Sequence, residues 1–271
     1  MTALASAFAS LRRQNRCGFV PFVMGGDPDL ATTAQLIGTL SETGATAIEV
    51  GVPFSDPIAD GPVIQRAAQR AISRGVTLTA VLQMIADTAA DSAPLVLFSY
   101  YNPILQLGLQ KFAEEARAAG VAGVLVTDLP AESAGPLRAL LHERGIDLIF
   151  LLAPTTSDAR LRQIAELASG FIYVIARTGV TGTQRELADE SEALVRRVRS
   201  VTDLPVAVGF GITKRAQAQA VCRYAEAAVV GSRLVAEIEE ATVGTKWRRD
   251  AVVERVAACA RQFIGLKKQK L

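Results

Sequence analysis

The chain of 271 residues contains one histidine, one tryptophan and three cysteines, and only 6% of its residues are aromatic. The single histidine, His142, lies in the helical stretch LRALLHERG, so a Ser-His-Asp triad or a histidine base is not available to a buried site. There are six lysines (Lys111, Lys214, Lys246, Lys267, Lys268 and Lys270), and none falls in a predicted strand. That argues against a buried Schiff-base lysine. Cys17, Cys222 and Cys259 are far apart, odd in number and free of any CxxC spacing. They predict neither a disulfide nor a thiolate-metal framework, and they fit a reducing cytoplasm. No His/Asp/Glu cluster has zinc spacing, and no apolar run approaches the ~18 residues of a membrane span. The net charge is +2, with acids and bases intermixed, which offers no basic stripe to nucleic acid or to a membrane surface. The basic end LKKQKL reads as a solvated terminus. The start, MTALASAFASLRRQNR, lacks acids and faintly resembles a transit peptide. Leu4, Phe8 and Leu11 recur at helical spacing, however, and predict a short amphipathic helix packed on the domain.

Half of the residues are hydrophobic, and short apolar runs alternate with helical patterns from end to end. Strands are predicted at 19–24, 47–51, 95–100, 123–128, 147–152, 171–176, 205–210 and 227–232. Helices are predicted near 29–43, 77–90, 109–119, 131–144, 157–168, 188–200, 213–224 and 245–264, with an extra one at 62–74. Strand–helix alternation implies parallel strands joined by right-handed crossovers. Eight units in this length favour one closed (β/α)₈ (TIM) barrel over residues 1–271, with an extra N-terminal helix and extra helices near strands 2 and 8. No GxGxxG follows the first strand, which counts against a dinucleotide-binding sheet.

In such a barrel the chemistry belongs at the carboxyl ends of the strands, and there the stretch IEVGVPFSDPIADGP (48–62) stands out. Side chains alternate along a strand, so if Ile48 and Val50 face the helices, Glu49 faces the lumen. A carboxyl among apolar walls has a raised pKa and can both give and take a proton near neutrality; a structural ion pair is the competing reading. Asp60 closes the loop and can fold back over the same mouth, although DGP also fits a helix start. Asp56 before Pro57 fits a turn. Glycines follow strands six, seven and eight in GVTGT (179–183), GFGIT (209–213) and GSR (231–233), where backbone N–H groups can cradle a phosphate. Phe22, Phe98, Tyr100, Leu125, Leu152, Tyr173 and Phe210 near strand ends suggest walls for a flat apolar group.

These segments, with FVPFVMGGDPD, GVLVTDLP, YVIARTGVTG and VGFGI in order along the chain, resemble the tryptophan synthase α subunit family. Ala176 departs from the serine that members often carry before the arginine of that loop. The resemblance implies retro-aldol cleavage of indole-3-glycerol phosphate to indole and glyceraldehyde 3-phosphate. It makes Glu49 and Asp60 the catalytic pair. Phe22, Tyr100, Leu125, Tyr173 and Phe210 would contact substrate, with Thr181 in a lid, ARTGVTGTQRE, that excludes water. Gly182, Gly211, Gly231 and Ser232 would hold the phosphate. No cofactor is expected in this chain; pyridoxal phosphate is expected in a β subunit that receives the indole, in an αββα heterotetramer. The proline-rich loop at Pro53, Asp56 and Pro57 and the turn at Asn102 and Pro103 are the expected partner surface. Rival readings are another phosphate-binding barrel such as an isomerase or indole-glycerol-phosphate synthase, a stand-alone indole-releasing lyase, and a weak barrel that mainly activates its partner. The missing strand-end lysine argues against the synthase, and the presence of both carboxyls argues against the pure activator.

Overall fold

Strands of Val, Ile and Leu buried on both faces are what a closed parallel sheet requires, and eight of them form it here. The computed structural model describes residues 1–175, 184–209, 211–244 and 246–268. The strands are β1 (Gly18–Met24), β2 (Ile48–Gly51), β3 (Leu95–Ser99), β4 (Gly123–Val126), β5 (Asp147–Leu152), β6 (Ile172–Ile175), β7 (Val206–Gly209) and β8 (Ala227–Val230). Each pairs in parallel with the next, and β8 returns to β1 to close the barrel. Twelve α-helices lie among the described residues: α1 (Ala3–Arg13), α2 (Leu30–Glu42), α3 (Pro62–Ser73), α4 (Leu78–Ala86), α5 (Tyr101–Leu107), α6 (Leu109–Ala118), α7 (Gly135–Glu143), α8 (Asp158–Leu167), α9 (Gln184–Arg199), α10 (Arg215–Val221), α11 (Ser232–Ala241) and α12 (Arg249–Ala260). None is long and apolar enough to cross a membrane.

Alternation divides the core into two shells. Ile48, Val50, Leu95, Leu97, Val206 and Val208 face the helices. Ala47, Val96, Leu125, Ile149, Tyr173, Ala207 and Val229 face inward. Leu4, Phe8 and Leu11 of α1 join that inner cluster, with the Phe8 ring 5.3 Å from Phe171. The N-terminal helix is thus a plug for the amino end of the barrel, and the opposite end is left for a site.

Three expectations need correction. First, Cys17 and Cys222 form a disulfide, 205 residues apart in sequence with Cα atoms 5.6 Å apart. Barrel closure sets the approach to β1 beside the end of α10, a proximity that spacing along the chain does not reveal; Cys259 remains a free, buried thiol. Second, the chain end is not simply solvated as far as Lys268. Leu266 is fully buried, its carbonyl accepts from Cys17 N–H at 3.1 Å, and Lys268 donates to the buried Glu226 at 2.6 Å. Third, α5 forms where YYNP suggested only a turn. Pro103 sits in its first turn, where the missing N–H would have no intrahelical acceptor.

Candidate active site

Glu49 is the central residue of the site. It is 1% exposed, it pairs in register with Phe22 of β1 and Val96 of β3, and its Oε1 has no hydrogen-bond partner among the described residues. Burial pushes its carboxyl up to about 8, so at neutral pH the group is mainly protonated. The structural ion pair that could have explained a lumen carboxylate is not present among the described residues. The Glu49 charge and, before it, burial hold the nearby Tyr173 phenol well above its usual range.

Asp60 reaches the same cavity from the loop between β2 and α3. Burial raises it to about 6, opposed by a hydrogen bond from the Tyr100 hydroxyl, so at neutral pH it is largely ionised. The Tyr100 hydroxyl also accepts from Ala59 N–H at 3.0 Å, and Phe54 stacks on the Tyr100 ring at 5.0 Å. The two ends of the loop are therefore held by one side chain at the end of β3. Gly61 and Pro62 open α3 directly after Asp60, with Gly61 as N-cap.

The cavity has a volume of about 300 Å³. Phe22 and Phe98 meet edge to face at 5.5 Å on one wall, and Leu151, Tyr173, Ile175 and Val229 supply further apolar surface. Gly51 leaves room for the Phe22 ring: a Cβ there would stand 2.6 Å from Phe22 Cζ. Gly209 does the same for Tyr173, whose hydroxyl would lie 2.3 Å from an added Cβ. Gly211, Gly231 and Ser232 also line the cavity, with Gly231 packed close to Phe22. Ser232 begins α11, whose first N–H groups have no intrahelical acceptor and carry the positive end of the helix dipole. No Lys, Arg or His lines the cavity among the described residues, where the donors available to an anion are backbone N–H groups and the Ser232 and Thr127 hydroxyls.

Of the residues expected to touch substrate, Phe22 and Tyr173 line the cavity, together with Glu49 and Asp60. Tyr100 does not line it; its hydroxyl is engaged by the loop. Leu125 is wholly buried in the inner cluster, paired in register with Phe98 of the cavity wall, and Thr127, two residues on, lines the cavity. Leu152 packs outward, and Leu151 is the wall residue. Thr181, Gly182 and Phe210 lie outside the described residues, as does residues 176–183 of the expected lid. On the outer rim Asp56 and Asn102 are exposed, while Pro53 is buried. Ile58 is 88% exposed at the loop tip and Leu105 48% exposed on α5, two apolar rim residues that sequence reasoning did not single out.

Residues 8–264 match the family model described as the tryptophan synthase alpha chain. The chain is 47% identical over 244 residues to the tryptophan synthase alpha chain of Synechocystis, covering 89% of this chain and 92% of that one. It is 50% identical over 236 residues to the counterpart from Caulobacter, covering 86% of each. Among solved structures, it resembles Mycobacterium tuberculosis tryptophan synthase at a TM-score of 0.88 and 34% identity, over 99% of both chains. It also resembles tryptophan synthase subunit alpha from Legionella pneumophila at a TM-score of 0.86 and 32% identity, over 97% of this chain and 98% of that one. By fold, by sequence over nearly its whole length and by the family model, the chain belongs to the tryptophan synthase alpha chain family.

Proposed function

We propose that the chain is a carbon–carbon lyase that cleaves indole-3-glycerol phosphate to indole and glyceraldehyde 3-phosphate. The observation that carries this reading is the split between two carboxyls of one cavity: Glu49 raised to about 8 and Asp60 to about 6. At neutral pH the first is an acid and the second an anion. Indole is a poor carbanion leaving group, so C3 must be protonated before the bond breaks. Glu49 gives its proton to C3, and the positive charge that develops on the ring is stabilised by the Asp60 carboxylate accepting from the ring N–H. The Glu49 carboxylate then takes the proton of the side-chain hydroxyl next to the ring. The carbon–carbon bond breaks toward the ring, releasing indole and the aldehyde and leaving Glu49 protonated for the next turnover.

The apolar walls suit the indole, and the phosphate is assigned to N–H groups around Gly211, Gly231 and Ser232, with Gly182 completing the cradle. The indole passes to a β subunit carrying pyridoxal phosphate, in an αββα heterotetramer, for tryptophan synthesis; a cytoplasmic setting follows from that biosynthetic role alone, because the Cys17–Cys222 disulfide removes the cysteine argument for it. This chain itself needs no cofactor. The exposed rim at Asp56, Ile58, Asn102 and Leu105 supports docking at the mouth, with Pro57 and Pro103 stiffening it and Pro53 acting from beneath. The test is indole release from indole-3-glycerol phosphate by the purified chain alone. A slow but measurable rate that depends on Glu49 is expected; no release at any enzyme concentration would leave an activator without chemistry.

A further inference from the structure

Two helices bring the two halves of the site to the cavity. Asp60 stands just before Gly61, the N-cap of α3, and Gly61 to Ile64 line the cavity; Ser232 is the first residue of α11 and lines it too. Both helices therefore aim their N-termini at the same space, and they pack along one another. The seam between them is smooth. Ala67, Ala68 and Ala71 of α3 meet Val235 of α11, over Phe22 and Met24 of β1. Burial of such surface is favourable but non-directional, and alanines offer shallow ridges to resist one helix sliding along the other.

A chain of charges crosses that seam. Asp27, in the turn after β1, is fully buried and is held by both Arg70 Nε and Nη2 at 2.8 Å. Arg70, on the last turn of α3, also donates from Nη1 to Glu239 Oε1 of α11 at 2.8 Å. Arg66, one turn earlier on α3, donates from Nε and Nη2 to the two oxygens of Glu239 at 2.7 Å each. Two-point Arg–carboxylate contacts fix geometry as well as attraction. Arg66, then Arg70, holds Glu239 down at about 2, so the link stays charged across the working range. Asp27 is anchored in turn: its N–H donates to Met24 carbonyl at 3.2 Å, and the neighbouring Gly26 N–H donates to Thr33 Oγ1 at 3.1 Å.

We propose that the Asp27–Arg70–Glu239–Arg66 network is a positioning device that sets the span between Asp60 and the phosphate cradle at Ser232, and so selects the length of the chain joining the indole to the phosphate. This rests on the assignment of indole to the Asp60 side and phosphate to the α11 side. None of the four residues lines the cavity. They act through the axial register of α3 against α11 and against the end of β1.

The variant must not strand the buried Asp27 charge, because truncating one partner of a buried pair is costly for the fold. Glu239→Ala leaves the Arg70–Asp27 pair intact, and Glu239→Gln, which keeps the volume, serves if the alanine variant does not fold. Calorimetric binding is measured for three probes: indole, glycerol 3-phosphate, and indole-3-propanol phosphate, in which a three-carbon chain joins the ring to the phosphate. In the parent protein the joined probe binds more tightly than either half. In Glu239→Ala each half binds within about twofold of the parent, while the joined probe weakens on the order of tenfold, less than the ~10²-fold that a 1 Å misplacement costs in rate. A general loss of folded protein would scale all three probes together and leave their ratios unchanged, which overturns the proposal. So does an unchanged joined probe, or a glycerol 3-phosphate loss equal to that of the joined probe. If the parent gains nothing from joining the halves, the site assignment itself fails, and that outcome is read before any variant is made.

Discussion

The Tyr100 hydroxyl accepts the backbone N–H of Ala59 at 3.0 Å and donates to the carboxylate of Asp60, the next residue. One phenol from the end of β3 thereby holds the loop end and the Asp60 carboxylate together. Tyr100→Phe keeps the ring and its stacking on Phe54 but loses both bonds. Hydrogen bonds to charged groups are worth ~1.5–3 kcal/mol, so kcat is expected to fall by at least about tenfold. The Asp60 pKa rises because a bond to its charged form is lost. Unchanged kcat and an unmoved acidic limb of the rate profile would reduce Tyr100 to packing.

The two carboxyls predict a bell-shaped dependence of kcat/KM on pH for the isolated chain. Activity rises as Asp60 ionises near 6 and falls as Glu49 ionises near 8. The ester phosphate of the substrate also ionises near ~6, so the acidic limb needs a control. Asp60→Asn is expected to cut the rate by ~10²-fold or more and to displace that limb. A limb that survives unchanged belongs to the substrate and removes Asp60 from the assignment.

Glu49→Gln is expected to lower turnover by ~10²-fold or more while substrate still binds, and a retained tenth of the rate would end the acid–base role. The same variant has a stability signature. Burial raises the folded pKa of Glu49 from 4.5 to about 8. Between these values the folded state holds a proton that the unfolded state has lost, so stability falls as pH rises through this window. The penalty is absent below about pH 4.5 and on the order of 3 kcal/mol at pH 7. Glutamine cannot ionise, so the stability difference between variant and parent should shift in the variant's favour from pH 4.5 to 8. The cost of burying the amide is the same at every pH and leaves the slope as the diagnostic. Parallel stability curves would mean that Glu49 ionises freely in the fold.

Strand order, barrel closure and the lumen position of Glu49 were legible because alternation has a period of two and Ile48 and Val50 mark the other face. The same rule fails where both faces are apolar. In DLIFLL nothing distinguishes Leu151 from Leu152, so the wrong one was expected at the wall. Leu125 has the parity of an inward residue and pairs in register with Phe98 of the cavity wall, while Thr127, of the same parity, lines the cavity. The disulfide between Cys17 and Cys222 was hidden because it depends on β8 meeting β1, a contact between chain ends. The charge network around Arg70 was hidden for the same reason, since Asp27, Arg70 and Glu239 belong to three separate βα units.

That disulfide lies at the amino end of the barrel, away from the cavity. Chain-entropy reasoning over 205 residues puts its contribution at about 5 kcal/mol as an upper figure. Cys17→Ser, or reduction of the parent protein, is therefore expected to lower Tm by several degrees while indole release at 25 °C is unchanged. Equal melting of oxidised and reduced protein would show that the link adds no stability. A loss of activity in the folded, reduced form would show that the two ends of the barrel are coupled.

Partner docking can be separated from catalysis at Asp56. It is exposed on the loop that starts three residues after Glu49 and ends at Asp60, and Ile58 and Leu105 give the same rim an apolar surface. A partner pressing on this rim would restrict the loop whose end is held by Tyr100, favouring the conformation in which Asp60 faces the ring N–H. Asp56→Ala is accordingly expected to leave the slow rate of the isolated chain within about twofold while reducing its activation by a β subunit by tenfold or so, the scale of one lost charged contact. Because coupling is reciprocal, indole-3-propanol phosphate bound in the cavity should tighten β-subunit binding to the parent chain more than to Asp56→Ala. The measurements are indole release with and without the β subunit, and the dissociation constant of the complex with and without the analogue. Equal fold-activation of the two chains would assign Asp56 to the turn alone and move the docking surface elsewhere on the rim.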